Sequence, residues 1–265
     1  SFIDYLAGLE DLVLIMDESH HYRAKAGMQA LNDLKPVLGL ELTATPLVAG
    51  KGGRQEKFRN VVYEYPLSAA IEAGYTRTPY AMTRSNIESF GFGEKELDRA
   101  MIDDGIRHHE KVKAHLTAYA DKSNARLVKP FVMIVCKDTE HAQSVNDYVT
   151  SDDFRKGCYK GKTLLIHSKQ GAAAKASNVT LLADVERADN PIEIVIHVDM
   201  LKEGWDVNNL YTIIPLRTAA SRILREQMVG RGLRLPYGER TGDRLADMVM
   251  LTAHDNFAAL VREAQ

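Results

Sequence analysis

Cysteine is scarce in this sequence, and its scarcity excludes several kinds of protein. The 265 residues include two cysteines, Cys136 and Cys158, too few for a disulfide framework or a four-thiolate zinc site. No apolar run reaches the length that crosses a bilayer, so we expect no membrane association. The formal net charge is −2, so the overall basic charge of many nucleic-acid-binding domains is missing too. A cytoplasmic protein without disulfides is the remaining expectation.

A glycine-rich loop that cradles phosphates is also absent. The nearest string, Gly161-Lys162-Thr163, has Lys156 at the position where the pattern G-x-x-x-x-G-K-[ST] needs its first glycine. The residues after Thr163 indicate a strand, whereas a phosphate loop opens into a helix. The string is therefore interpreted as a coincidental match.

What the sequence does contain is an alternation of short apolar runs and amphipathic segments. Such alternation predicts an α/β fold with parallel sheets. The predicted strands are 11–16, 38–43, 79–83, 131–136, 163–167, 192–198, 210–214 and 247–251. The predicted helices are 24–34, 67–73, 138–149, 171–186 and 219–229, with one or two further helices in the charged segment 94–125.

Two adjacent carboxylates end the first predicted strand. In "LVLIMDESHHYR", residues 12–23, the apolar run stops at Asp17 and Glu18. The two carboxylates repel each other, and a positive charge placed against them would offset that repulsion. Loops at the carboxyl ends of parallel strands open into the ligand crevice of such folds. A nucleotide-bound Mg²⁺ would supply the charge, one carboxylate holding the metal and its neighbour orienting water. A solvated turn is the alternative interpretation of this pair taken alone.

Three further strings follow the carboxylates in a fixed order. "LTATP" spans residues 42–46, "HVDMLKEGWDVNNL" spans 197–210 and "EQMVGRGLRLP" spans 226–236. Together "DESH", "TATP", "EGWD" and "QMVGRGLR" resemble motifs II, III, V and VI of the superfamily 2 helicases and translocases. Within that superfamily, "LKEGWDV" and "QMVGRGLRLP" are most similar to the restriction (Res) subunits of type III restriction–modification enzymes. Type I restriction motors carry similar strings.

The resemblance implies a fold and a division of the chain. It implies two RecA-like α/β lobes with parallel sheets, the first incomplete at its N-terminus, joined by a helical segment. Residues 1–88 would be the later part of the first lobe, with motifs II and III; 89–128 would be the helical connector; and 129–265 would be the second lobe, with motifs IV to VI. Because the sequence has no phosphate-cradling loop, we expect this chain alone not to hydrolyse ATP.

For the first lobe, the resemblance implies roles at five positions. Asp17 would hold Mg²⁺, Glu18 would position or activate water, and His20 would relay between nucleotide and nucleic acid. Thr43 and Thr45 would couple the nucleotide state to movement of the lobes.

For the second lobe, it implies residues on the opposite wall of a nucleotide cleft. Gly204 and Asp206 would face nucleotide or nucleic acid, and Gln227 would line the wall. Arg231 and Arg234 would reach the triphosphate, where a guanidinium group can neutralise the transferred phosphoryl group only when the lobes close. Surface charge at a helix end is the alternative interpretation of these two arginines.

A backbone-binding loop of the family falls on His167, Ser168 and Lys169. These side chains are candidate contacts to nucleic-acid phosphates, with a plain strand end as the alternative. Val198 stands where many relatives have a threonine that touches the nucleic-acid backbone, so that contact is not assigned.

The implied activity is a DExH-type motor of a type III restriction enzyme, which couples ATP hydrolysis to movement on DNA. Its cofactors would be ATP and Mg²⁺. Its partners would be the DNA phosphate backbone and a modification methyltransferase subunit, and no residue here resembles the nuclease site of such an enzyme. Two alternatives stay open: an RNA helicase or other superfamily 2 ATPase, and a non-hydrolytic clamp on nucleic acid, which would bind DNA without ATP and with strong salt dependence.

Overall fold

A computed structural model describes the chain in two compact units, Ser1–Tyr65 and Pro66–Gln265. The described residues are 1–23, 25–44, 46–49, 55–82, 93–167, 178, 180–198, 207–216 and 229–252.

The first unit is built on one parallel pair of strands. Its elements, in chain order, are α1 (Phe2–Ala7), β1 (Val13–Met16), α2 (Lys25–Asp33), β2 (Leu38–Glu41), β3 (Leu47–Ala49) and β4 (Gln55–Lys57). β1 and β2 run parallel, in register from Val13 opposite Leu38 to Met16 opposite Glu41. β3 and β4 form a separate antiparallel hairpin. The crossover from β1 to β2 through α2 is the connection that parallel strands require.

One face of the β1–β2 pair is apolar and exposed. Val13 and Ile15 lie opposite Leu38 and Leu40 in the register, and Ile15 is 70% exposed. Neither α1 nor α2 contains a buried residue. Strands of a parallel sheet are ordinarily covered on both faces, which explains why β1 is a continuous apolar run although one of its faces is open here.

The second unit contains a six-stranded parallel sheet. Its elements, in chain order, are α3 (Leu67–Glu72), β5 (Thr78–Met82), α4 (Glu94–Ser123), β6 (Phe131–Val135), α5 (Thr139–Thr150), β7 (Thr163–Ile166), β8 (Ile194–His197), β9 (Leu210–Pro215) and β10 (Met248–Thr252). The strand order is β5-β10-β9-β6-β8-β7, and every neighbouring pair is parallel. Every residue of β6, β8 and β9 is buried, as expected for strands covered on both faces.

Helix α4 forms a layer on the second sheet. It is one continuous helix of 30 residues, and its buried residues recur every three or four positions, which is the spacing of one helix face. Those residues are Met101, Ile102, Gly105, Ile106, His109, Val112, Leu116 and Ala120. At Gly105 the helix lies so close to β9 that an added Cβ would be 2.4 Å from Cδ1 of Ile214. Asn124 then ends α4 in the left-handed conformation (φ 50°) that is typical of helix C-termini.

The predicted α/β fold with parallel sheets is confirmed, and all eight predicted strands are present. Helices 24–34, 67–73 and 138–149 are found as α2, α3 and α5, and the charged segment 94–125 is a single helix. Residues 178 and 180–183 of the predicted helix 171–186 are helical, and the predicted helix 219–229 falls outside the described residues except for its last position. The hairpin β3–β4 was not predicted, because β3 has only three residues and β4, Gln55–Lys57, has no apolar residue.

The division between the units comes earlier than the predicted boundary at residue 88. It falls between Tyr65 and Pro66, and β5 pairs with β10 from Thr78 opposite Met248 to Met82 opposite Thr252. The predicted connector 89–128 contains α4, which is packed on the second sheet. The apolar run of β5 predicts a strand, but a run of this kind carries no information about which strand it pairs with.

Among the described residues, α4 is the longest helix, and its charged sequence cannot cross a bilayer; no other described helix is long and apolar enough to do so.

A buried carboxylate, Glu193, ties α4 to the amino-terminal edge of the second sheet. Its side chain is 7% exposed, and Oε2 lies 2.8 Å from Nζ of Lys113 and 3.3 Å from Nε2 of His109. Nζ of Lys162 lies 3.0 Å from Oε1. Burial alone would raise the pKa of Glu193, but the hydrogen bonds from these three side chains outweigh it and hold that pKa well below its ordinary value.

We expect Glu193→Gln to lower the free energy of unfolding by about 2 kcal/mol at neutral pH, because it removes the buried charge that His109, Lys113 and Lys162 face. The pKa of Glu193 is lower in the folded than in the unfolded protein, so its contribution is complete above the ordinary value of 4.5 and is lost as the pH falls below it. The difference in free energy of unfolding between wild type and variant, measured by urea unfolding, should therefore become smaller as the pH is lowered.

Asp152→Asn is the matched control for Glu193→Gln. Asp152 also pairs with a lysine, Lys160, at 2.7 Å, but its side chain is 83% exposed. Exposed pairs contribute little to stability, so this variant should unfold like wild type. An equal effect of the two substitutions would show that Glu193 is not a buried stabilising group.

Candidate functional site

The carboxylates Asp17 and Glu18 occupy the turn at the carboxyl end of β1. Asp17 is exposed and Glu18 is half-buried. The N–H of Glu18 donates to Oδ1 of Asp17 at 2.9 Å, so one carboxylate helps to fix the backbone that carries the other. Glu18 has φ 48°, a left-handed conformation that residues with a side chain rarely adopt. Strained residues of this kind cluster at functional sites.

The end of β2 lies beside this turn. The N–H of Leu42 donates to the carbonyl of Met16 at 2.8 Å, and its carbonyl accepts from the N–H of Ser19 at 3.1 Å. Leu42 therefore brackets the two carboxylates, and Thr43 follows it at the same edge of the sheet. The sequence predicted Asp17, Glu18 and Thr43 as parts of one site, and the structure brings these three residues to one edge of the first unit.

The described acids fit a metal ion that arrives with a nucleotide. Within the described ranges, no three His, Cys, Asp or Glu side chains converge so as to hold a metal by themselves. Mg²⁺ commonly takes one or two protein carboxylates and fills its other positions with water and substrate phosphates. The exposed carboxylate of Asp17, with Glu18 next to it, matches that requirement.

In the second unit, the predicted arginines lie at the end of a helix that packs on the sheet. Residues 229–232 are helical; Arg231 is half-buried and Arg234 is exposed. Between them, Leu233 is 5% exposed and belongs to the core on one face of the sheet. Its carbonyl accepts from the N–H of Arg77 at 2.8 Å. The positions of Arg231 and Arg234 are thus set by buried neighbours, which distinguishes them from charges on a free surface helix.

Gly232 allows this helix end to approach the sheet. An added Cβ would lie 2.7 Å from Cγ2 of Val249 and 3.3 Å from Cδ1 of Ile213. Val249 is fully buried, and a β-branched side chain has little freedom to move aside. At Gly230, by contrast, an added Cβ would meet nothing within 4 Å.

We therefore expect opposite effects from the same substitution at two positions of one helix. Gly232→Ala should destabilise the second unit by about 1–3 kcal/mol through overpacking, and Gly230→Ala should leave it unchanged or stabilise it by about 1 kcal/mol. Thermal unfolding of both variants checks this. Equal behaviour of the two would mean that the close approach at Gly232 is not a constraint.

Other predicted residues are only partly described. The backbone of His20 belongs to the 3-10 turn Ser19–Arg23, and its side chain lies outside the described part. His167 follows β7 and is half-buried; the neighbouring strand β8 ends at His197, opposite Ile166. The remaining predicted site residues lie outside the described residues: Thr45, Ser168, Lys169, Gly204, Asp206 and Gln227.

The sequence analysis missed the contacts that Arg23 and Gly232 make beside the predicted site residues. Arg23 forms a two-oxygen ion pair with Glu41, and no local pattern links positions 18 apart. The signal for Gly232 was present in "GRGLR", but a glycine in a motif does not reveal which neighbour requires it.

Comparison with known proteins finds a family that the first unit is similar to. The sequence profile of the family described as "Type III restriction enzyme, res subunit" matches residues 4–48, which include the carboxylate turn and "LTATP". The chain is similar to type III Res subunits. It is 45% identical over 51 residues to the EcoPI Res subunit of Escherichia phage P1 and to the EcoP15I Res subunit of Escherichia coli. It is 35% identical over 75 residues to the probable HindVIP Res subunit of Haemophilus influenzae.

These matches cover a small part of each Res protein. The EcoPI and EcoP15I matches take in 19% of this chain and 5% of each relative, and the HindVIP match takes in 26% of this chain and 15% of the relative. The chain thus corresponds to a minor portion of the curated Res subunits it matches.

Solved structures show the fold over nearly the whole chain. A fragment described as the HsdR subunit of a type I restriction enzyme from Vibrio vulnificus YJ016 has a TM-score of 0.57 at 23% identity, covering 93% of this chain and 45% of that one. The ATP-dependent type ISP restriction–modification enzyme LlaBIII, bound to DNA, has a TM-score of 0.53 at 17% identity, covering 97% and 20%. The predicted α/β fold is therefore shared with solved structures of restriction enzymes, and the sequence matches bear out the predicted resemblance to type III Res subunits.

Proposed function

We propose that this chain is part of the ATP-driven motor of a type III Res subunit, a DExH-type ATPase that moves on DNA. The observation that supports this most directly is the strained Asp17–Glu18 turn, bracketed by Leu42, inside the segment similar to Res subunits. The two backbone hydrogen bonds of Leu42 hold both carboxylates at the sheet edge where Thr43 also lies.

In the first unit, the two carboxylates would have different roles in hydrolysis. Asp17 would hold Mg²⁺, and Glu18 would orient the attacking water and accept its proton. When bound, ATP with Mg²⁺ supplies the scissile phosphate bond and a cation that neutralises its charge. Thr43 and Thr45 would couple the nucleotide state to movement of the lobes, and His20 would relay between nucleotide and nucleic acid.

In the second unit, Arg231 and Arg234 would supply guanidinium groups to the transferred phosphoryl group. The second unit would also line the nucleotide cleft with Gln227, Gly204 and Asp206. Because the arginines and the carboxylates belong to different units, hydrolysis would require the units to close, and closure linked to hydrolysis is how such a motor would step along a strand.

The substrate of movement would be duplex DNA held through its phosphates, with His167, Ser168 and Lys169 among the contacts. A modification methyltransferase subunit would supply sequence recognition, and the system would work in the cytoplasm, where the DNA is. The relatives named above as restriction–modification enzymes support this assignment.

Nucleotide hydrolysis with and without nucleic acid tests the proposal. A longer protein that joins this chain to a phosphate-cradling loop should hydrolyse ATP faster with duplex DNA, while this chain alone should stay at background. Stimulation by duplex RNA in place of DNA would favour an RNA helicase. Tight, salt-sensitive DNA binding by the chain with no effect of ATP would favour a clamp, and turnover by the chain alone would contradict the need for that loop.

A further inference from the structure

The strained turn at Asp17 and Glu18 persists because neighbouring contacts enforce it. Leu42 makes two of these contacts through its backbone, one to Met16 before the turn and one to Ser19 after it. Both contacts come from the segment that leads into Thr43.

Arg23 adds a connection made by side chains. Its Nη2 lies 2.6 and 2.5 Å from the two carboxylate oxygens of Glu41. Its guanidinium carbon lies 4.2 Å from the centroid of the Phe58 ring. The side chains of Arg23 and Glu41 are 31% and 29% exposed, so the pair is more shielded than a surface ion pair. A guanidinium group that binds a carboxylate and stacks on a ring is fixed in both direction and position.

The Arg23–Glu41 pair joins the same two segments as the Leu42 hydrogen bonds. Arg23 ends the 3-10 turn that begins directly after Glu18, and Glu41 ends β2 immediately before Leu42. A displacement of the segment at Thr43 would therefore reach the Glu18 turn through two connections, one of backbone and one of side chains. Only the second can be removed by substitution without altering the backbone.

We infer that Arg23 is a positioning residue, which holds the turn of Asp17 and Glu18 against the segment that leads into Thr43 so that the two move together. The inference rests on the proposed function, because it concerns how the hydrolytic carboxylate is kept in place. Arg23 contacts Glu41 and Phe58 and acts through them on the turn.

Hydrogen exchange on this chain tests the structural part without any catalysis. Arg23→Ala should raise the exchange rates of the Ser19 and Leu42 amides by about tenfold, because both amides donate across the joined segments. Arg187→Ala is the matched control: Arg187 makes a similar two-oxygen pair with Asp189, at 3.0 and 2.9 Å, in the second unit. The control should leave both amides unchanged. Unchanged exchange in Arg23→Ala would overturn the inference.

Turnover tests the positioning role in an ATP-hydrolysing protein that contains this chain. Arg23→Glu and Glu41→Arg should each lower kcat about tenfold with little change in KM for ATP, and the double exchange should restore most of the loss. A role in folding alone would lower Tm and the yield of active protein but leave kcat per active site unchanged. That result, or a double variant no better than the single ones, would overturn the inference.

The two experiments separate the inference from the proposed function. Absence of turnover in the parent protein with its natural sequence would contradict the proposed function alone. The exchange rates of Ser19 and Leu42 would then decide the inference by themselves.

Discussion

Glu18→Gln is expected to abolish ATP turnover, by about a thousandfold or more, while ATP binding changes little. Glutamine keeps the shape of the side chain and can occupy the same strained backbone, but it cannot accept a proton from water. Single-turnover hydrolysis and equilibrium nucleotide binding, measured on a motor that contains this chain, separate the two effects.

Glu10→Gln provides the control for this experiment. Glu10 is an exposed glutamate of the same unit, in the turn before β1. Its substitution should change neither turnover nor binding. Retention of turnover in Glu18→Gln would remove Glu18 from its proposed role and leave Asp17 and Glu18 as a solvated turn.

Arg231→Lys and Arg234→Lys are expected to lower kcat by about a hundredfold or more without loss of stability. Lysine keeps the positive charge but not the planar fork that matches phosphate oxygens, so charge alone should not rescue the rate. Steady-state kinetics and thermal unfolding of the same preparations test both parts of the expectation.

Arg244→Lys is the matched substitution in the second unit. Arg244 lies over the ring of Tyr80 at 5.2 Å and is given no part in catalysis. It should keep wild-type kinetics. If Arg231→Lys and Arg234→Lys behave in the same way, the two arginines are surface charges at a helix end.

Much of the fold could be predicted because buried parallel strands leave a clear pattern. The apolar runs of β6, β8 and β9 are continuous since both faces are covered, and the acids that follow β1 stand out against such a run. The pairing of β5 with β10 could not be predicted, because 165 positions separate Met82 from Met248 and no local pattern specifies a partner.

The candidate site was predictable in its chemical residues and not in its supports. Asp17 and Glu18 are recognisable by residue type and by their place at a strand end. Arg23 and Gly232 matter through Glu41 and Val249, which only the folded chain brings near. Sequence patterns therefore identify the groups that would act on a phosphate, while the groups that would orient them are recognised only in the folded protein.

The uneven distribution of buried side chains between the units predicts how the protein melts. In the part of the chain that the structure describes, the clusters of buried apolar residues all lie in the second unit, whereas α1 and α2 of the first unit contain no buried residue. We expect two calorimetric transitions, the Asp17–Glu18 turn being lost in the one at lower temperature. Heat would then abolish hydrolysis at a temperature at which the six-stranded sheet is still folded.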